Sequence, residues 1–173
     1  MMKDYVIPIV VLAAICLFVS GALAAVNHIT EPVITQAEAE RAEEARKRII
    51  PEADEFIQLV IEELPEGNAV REVYGTSNDV GFIFVVSPKG YNGNIEIMCG
   101  IDPEGRIIMT ETLKHAETKG ISDPVFAAQD RYKGEDSSLG GIDAISGATK
   151  SFLAYRKGIS DAFEVFEIVM GVQ

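Results

Sequence analysis

The sequence predicts an α+β protein: a single N-terminal transmembrane helix, a helical stem, and an antiparallel sheet with packed helices. Three observations lead to this fold class. The segment from Val6 to Val26 is apolar and holds no charged residue. Four short stretches rich in β-branched and aromatic residues follow, separated by turn residues. A long segment whose apolar residues recur with helical spacing closes the chain.

The apolar segment is long enough for a membrane anchor, since as a helix it measures roughly 30 Å, about one hydrocarbon core. Pro8 lies near its start, where a helix tolerates proline. A cleaved signal peptide is the alternative, because Ala22-Leu23-Ala24 resembles a cleavage site. Both interpretations place the following residues outside the cytoplasm. We therefore expect an anchor at residues 1–27, a stem at 28–52 and an extracytoplasmic domain at 53–173.

Two helices are expected between the anchor and the sheet. Residues 27–32 predict a short break, and Val33 to Ile50 predicts a solvated helix with a thin apolar seam, ended by Pro51. Ala53 to Leu64 predicts a second helix, because Phe56, Val60 and Leu64 share the i, i+4, i+8 spacing of one helical face.

The sheet is predicted from four segments, Val70–Thr76, Val80–Val86, Ile95–Ile101 and Ile107–Leu113. Asp102-Pro103-Glu104-Gly105 predicts a tight turn that joins the last two strands into a hairpin, and Gly90-Tyr91-Asn92-Gly93 predicts a looser turn. A short helix around Pro124–Gln129 and a polar loop from Tyr132 to Gly140 come next. A helix from about Gly147 to Val169 ends the chain.

Composition excludes several classes of function. The net charge of −12 and the lack of a basic stripe argue against nucleic acid as a partner. Cys16 and Cys99 are too few for an iron–sulfur cluster, and no Cys-x-x-Cys-His run exists for haem. With only His28 and His115, a His-rich metal site is also not expected. If the protein carries out redox chemistry, its cofactor should be organic.

The start of the last helix is the strongest candidate site. Ser146 is a suitable N-cap, and Gly147 and Ala148 leave the first backbone N–H groups unshielded. Such an N-terminus favours an anion, with the hydroxyls of Thr149 and Ser151 and the cation of Lys150 beside it. The residues alone thus predict a phosphate beside a threonine hydroxyl, although an ordinary capped helix explains the same pattern.

Asp143, Ser146, Gly147, Ala148 and Thr149 resemble the Asp-x-x-Ser/Thr-Gly-Ala-Thr motif of the FMN-binding domain family. This family includes the G subunit of the Rnf electron-transport complex and the C subunit of the sodium-pumping NADH:quinone reductase; the chain length favours the former. The resemblance implies that a flavin transferase attaches FMN, through its phosphate, to the last residue of the motif, Thr149.

A second segment also resembles the family. His115-Ala116-Glu117-Thr118-Lys119-Gly120-Ile121-Ser122 is similar to the His-x-Glu-Thr-Pro-Gly-Leu-Gly loop that lies against the flavin, with Lys119 in place of proline and Ser122 in place of the last glycine. The resemblance implies flavin contacts from the loop residues His115, Glu117, Thr118, Gly120 and Ile121. Tyr91 is a further candidate, for stacking on the isoalloxazine ring.

The implied function is electron relay in a membrane-bound, ion-translocating ferredoxin:NAD oxidoreductase complex, with other membrane and redox subunits as partners. The sequence contains neither a Gly-x-Gly-x-x-Gly segment nor a P-loop, so NADH is expected to bind elsewhere. Two alternatives stay open: a stand-alone anchored flavoprotein that supplies an extracytoplasmic reductase, and an extracytoplasmic binding module without a cofactor.

Overall fold

The computed structural model describes residues 2–61 and 63–171, with side chains from Val6 onward. They form two compact units, divided after Arg41. Helix α1 spans Met2–Ile49 and ends two residues before Pro51. It contains an 18-residue window of mean hydropathy 2.8 that is entirely unburied, so by length and composition it can cross a membrane.

The expected break at residues 27–32 is wrong, because α1 continues through it with Pro32 inside the helix. One proline removes a single backbone donor, and no glycine follows it in this segment to end the helix. The hydroxyl of Thr30 also donates to the carbonyl of Val26 at 2.9 Å. The sequence signal for a break was therefore weaker than the helical preference around it.

The sheet is a five-stranded antiparallel meander in which every strand pairs with the next one along the chain. Its strands are β1 Phe56–Leu59, β2 Val70–Thr76, β3 Phe82–Val86, β4 Ile95–Ile101 and β5 Ile107–His115. The hairpin predicted at Asp102–Gly105 is confirmed: the Gly105 N–H donates to the Asp102 carbonyl at 3.0 Å, and Gly105 has a φ of +77°.

The helix predicted at Ala53–Leu64 is wrong, since its centre is strand β1. Phe56 pairs with Thr76 and Leu59 with Val73 along the edge of β2. A short apolar run is compatible with either structure, and Phe56 and Ile57 are good strand formers. The free edge of β2 decided the outcome, because it supplies backbone partners that the isolated segment does not reveal.

Both faces of the sheet are covered, which explains the unbroken apolar run of β3. Phe84 and Val86 belong to the larger core cluster with the C-terminal helix. Ile83 and Val85 point the other way, into a cluster that includes Ala45, Ile49 and Ile50. The end of the helix that we expected to be solvated is therefore buried in the core.

Two helices and a 3-10 turn lie on the larger-core face. They are α2 Asp123–Ala127, the 3-10 turn Gln129–Tyr132, and α3 Thr149–Val169. The apolar face predicted for the last helix is confirmed, as Phe152, Tyr155, Ile159, Phe163 and Phe166 are all buried. Helix α3 thus packs along the sheet and points its N-terminus at the loops that leave β3 and β5.

Candidate functional site

Three chain segments meet at the N-terminus of α3 and enclose a cleft of about 320 Å³. They are the turn between β3 and β4, the loop between β5 and α2, and the start of α3. Most of the predicted site residues line this cleft: Tyr91, Glu117, Thr118, Ile121, Gly147, Ala148, Thr149, Lys150 and Ser151. The tertiary fold therefore brings together segments that are separated by about 25 to 30 residues along the chain.

The start of α3 differs from the prediction in its cap. Ala148 is the N-cap, and no side-chain hydrogen bond caps the helix, so the assignment of Ser146 as N-cap is wrong. Gly147 adopts a φ of +86°, a conformation that favours glycine, and this turn shifts the first helical residue to Thr149. Within the described chain, the first turn of α3 accordingly keeps N–H groups without an intrahelical or side-chain partner.

These N–H groups and the residues around them form an environment for an anion. The positive end of the dipole of a 21-residue helix lies at the cleft. Thr149 and Lys150 are both exposed there, and the Nζ of Lys150 lies 5.2 Å from the centroid of the Tyr91 ring. The ammonium group therefore sits over an aromatic face at one side of the cleft, close to the helix N-terminus.

Glu117 connects the segments that form the cleft. It is 6% exposed; its Oε1 accepts a hydrogen bond from the backbone N–H of Asn92 at 2.8 Å, and its Oε2 accepts one from the hydroxyl of Ser151. Gly90 leaves room for the carboxylate, since a Cβ there would lie 2.6 Å from Oε1. Glu117 thus ties the β3–β4 turn to the first turn of α3.

The loop between β5 and α2 is closed by its own hydrogen bonds. The Thr118 carbonyl accepts from the Ser122 hydroxyl at 2.9 Å and from the backbone N–H groups of Ile121 and Ser122 at 3.3 and 3.2 Å. Gly120 makes the turn with a φ of +83°. Ser122, which stands where the family loop has glycine, is therefore a buried residue that stabilises the turn.

Four predicted residues do not line the cleft. Asp143 and Ser146 are both exposed on the approach to α3. Gly120 forms the loop turn and donates its N–H to Asp123 at 2.9 Å. His115 lies at the end of β5, where its ring stacks on Phe126 with a centroid distance of 4.0 Å, and it lines a separate depression.

Sequence reasoning missed two contributors. Ser122 lines the cleft, and Asn92 holds Glu117 through its backbone and the Ala116 carbonyl through its side chain, at 2.8 Å. Asn92 belongs to a turn that the sequence did predict. Its contact with Glu117 could not be predicted, because it depends on the pairing of β4 with β5.

Across residues 2–61 and 63–171, no group of three or more His, Cys, Asp or Glu residues is placed to hold a metal ion. Cys99 is fully buried, and burial raises the pKa of its thiol well above the ordinary range. This cysteine stays protonated and packs as an apolar residue in the core.

The fold and cleft agree with the class of protein that sequence comparison identifies. Residues 90–164, which include Tyr91, Glu117 and the start of α3, match the model of the FMN-binding domain.

Relatives that match over most of their own length support the same class of protein. The chain is 30% identical to the G subunit of the ion-translocating oxidoreductase complex of Methanosarcina acetivorans, covering 84% of this chain and 86% of the relative. It is 28% identical to the protein of the same name from Shewanella baltica, covering 90% and 86%. It is 26% identical to the G subunit of the proton-translocating ferredoxin:NAD(+) oxidoreductase complex of Clostridium ljungdahlii, covering 85% and 84%. The chain belongs to the FMN-binding-domain family that contains these G subunits.

Proposed function

We propose that this protein is an electron-relay subunit of a membrane-bound, ion-translocating ferredoxin:NAD oxidoreductase complex, and that it carries FMN linked through its phosphate to Thr149. The observation that carries the proposal is the uncapped N-terminus of α3, which presents Thr149 and Lys150 to a cleft inside the matched FMN-binding domain. Electron transfer and the parent complex are inferred from the relatives named above.

The phosphate end of FMN fits the chemistry of this helix N-terminus. The free N–H groups of the first turn can donate to phosphate oxygens, and the helix dipole and the Lys150 ammonium stabilise the negative charge. Thr149 is exposed at this N-terminus, and its hydroxyl would supply the ester oxygen. The bond is made during maturation by a partner enzyme, a flavin transferase.

The ring end of FMN fits the remainder of the cleft. Tyr91 supplies an aromatic face and Ile121 an exposed apolar one, and these are 67% and 57% exposed in the protein alone. The volume of about 320 Å³ is at the low end for ligand sites, so a bound ring keeps part of its surface open to other subunits. Glu117 also lines the cleft, and its carboxylate holds the cleft together by accepting hydrogen bonds from the β3–β4 turn and from α3.

FMN supplies a carrier that accepts and gives up electrons, and the chain fixes its position. A covalently held carrier cannot leave as a substrate, so electrons must arrive from one neighbouring subunit and pass to another. NADH oxidation or reduction therefore takes place in a partner. Among the described residues there is one candidate span, and one helix cannot form an ion pathway, so ion translocation also belongs to other subunits. We place the domain on the extracytoplasmic side of the cell membrane, as the anchor and the signal-peptide interpretations both require.

The covalent bond has a direct test. The full chain, produced together with a flavin transferase, should fluoresce under ultraviolet light after denaturing electrophoresis, and its intact mass should exceed the sequence mass by one FMN ester. Thr149→Val should abolish both signals, because valine keeps the shape of threonine without the hydroxyl. An exposed threonine in the same cleft provides the matched control: Thr118→Val should keep both signals.

Fluorescence that persists in Thr149→Val would place the attachment elsewhere. An unmodified mass in the presence of the transferase would instead support the binding module without a cofactor. The same mass measurement reports whether residues near Ala24 have been removed by a signal peptidase.

A further inference from the structure

A second groove of about 320 Å³ lies on the domain and shares no lining residue with the flavin cleft. It is formed by the start of β2 and the turn before it, the turn between β3 and β4, and the middle of α3. Its charged and polar lining side chains are Arg71, Lys89, Lys157, Asn68, Ser87 and Asn94. We refer to it as the basic groove.

The charge of the basic groove is opposite to that of the protein. The chain carries a net charge of −12, yet every charged residue that lines the groove is a cation. Lys157 is paired with Asp161 at 2.7 Å. Within the described residues no ion pair is formed by Arg71 or Lys89, and both are exposed. These two side chains therefore leave positive charge available at the surface.

The backbone beneath these cations is held in place. Asp161 accepts from the backbone N–H of Ala69 at 3.0 Å, and the ammonium of Lys157 also donates to the carbonyl of Gly67 at 3.2 Å. Gly158 allows α3 to lie directly against Pro88, where a Cβ would be 2.8 Å from Cγ of the proline. A surface that is already ordered loses little conformational entropy when a partner binds.

The positive charge ends at a defined border. Beyond Ser87 and Asn94, the adjoining depression is lined by Glu96 and Lys114. These residues face each other across β4 and β5 in the sheet register, so this surface is balanced in charge. On this side, the excess of positive charge therefore ends at the groove.

We propose that the basic groove binds an acidic segment of a protein partner. Its two unpaired cations, Arg71 and Lys89, come from separate chain segments, so a ligand with more than one anionic group along its length fits best, as a run of Asp and Glu side chains does. An extended peptide segment can enter a concave groove, whereas a flat anionic membrane surface cannot follow its walls. At physiological salt, charges beyond about 8–10 Å are largely screened, so an acidic segment responds mainly to the local cations.

The position of the groove relates this surface to electron transfer. Lys89 lines the groove and Tyr91, two residues further along the same turn, lines the flavin cleft. A partner docked on the groove therefore lies next to the turn that supplies Tyr91 to the cleft. Docking itself does not require FMN, and its test is therefore independent of the proposed function.

The experiment measures the binding of a short, dye-labelled poly-glutamate peptide to the full chain in a non-ionic detergent, by fluorescence anisotropy at low and physiological salt. We expect salt-sensitive binding to the parent chain and to Thr149→Val alike. The double variant Arg71→Gln/Lys89→Gln should raise the Kd of the peptide by about fivefold, because it removes two exposed charge contacts. The control is Arg131→Gln/Lys133→Gln, which removes two exposed cations outside the groove and should leave the Kd unchanged.

Several outcomes would overturn the proposal. Equal weakening by both double variants would mean that binding follows overall charge and not the groove. Failure of the parent chain to bind the peptide would also overturn the proposal. This conclusion would stand even if phosphatidylserine vesicles or inorganic phosphate bound to the chain. The single variant Lys89→Gln, at an exposed turn, separates loss of binding from loss of folding. Its circular dichroism spectrum should be unchanged, and it should still weaken peptide binding.

Discussion

The clamp formed by Glu117 makes a quantitative prediction about the stability of the site. Its carboxylate accepts one hydrogen bond from the Asn92 N–H at 2.8 Å and one from the Ser151 hydroxyl, at a side chain that is only 6% exposed. Hydrogen bonds to charged groups contribute about 1.5–3 kcal/mol each, and water from the adjoining cleft replaces part of that loss. Glu117→Ala should therefore destabilise the domain by about 3 kcal/mol and lower its Tm by about 10 °C.

The assay is thermal unfolding of the full chain in detergent, followed by near-ultraviolet circular dichroism. The chain is produced without a flavin transferase, so that FMN does not contribute. The Tm of Glu117→Gln should lie between those of the parent and of Glu117→Ala, because the amide oxygen still accepts one of the two hydrogen bonds. Glu104→Ala, at the exposed hairpin turn, is the control and should change the free energy of unfolding by less than about 0.5 kcal/mol. A Tm for Glu117→Ala within about 2 °C of the parent would refute the clamp.

Two further predictions concern α3. Gly158→Leu should lower the free energy of unfolding by about 2–3 kcal/mol, since a side chain there meets Pro88. The control Ser160→Leu, on the exposed face of α3, should lower it by less than about 0.5 kcal/mol. Midpoints of urea unfolding measure both effects. Equal midpoints would contradict the close helix–sheet contact. Burial raises the pKa of Tyr155 from 10.0 to about 12. Because the unfolded chain releases this proton first, the stabilisation is complete below pH 10 and is lost as the pH rises from 10 to 12. Tyr155→Phe should make that decline in unfolding free energy shallower, and an unchanged slope would show that the phenol does not titrate as described.

Local patterns were sufficient for much of the fold. The boundaries of β2 and β4 and the end of α3 agree with the prediction, because their residue preferences and turn signals point the same way. Two of the failures share a cause. Residues 27–32 and Ala53–Leu64 carry weak or ambiguous signals, and in each case the surrounding structure decided: the continuing helix in one, the free edge of β2 in the other.

Some features of the candidate site could be predicted from the sequence, and others depend on contacts between distant segments. The motif around Thr149 is contiguous, so a linear sequence reveals it. Glu117 was predicted by resemblance as a flavin contact, and only the structure shows that it also accepts hydrogen bonds from Asn92 and Ser151. The basic groove has no sequence signature at all, since Arg71, Lys89 and Lys157 are scattered through an acidic chain.

The sequence by itself determined the α+β class, the apolar N-terminal segment, the family and the residue expected to carry FMN, because each depends on neighbouring residues or a short motif. Only the tertiary structure decided that α3 begins at Thr149 without a side-chain cap, that Glu117 joins the turn to the helix, and that the end of α1 is buried. These features depend on contacts between distant segments, and the packing of the sheet and helices, not the local preference of any residue, sets those contacts.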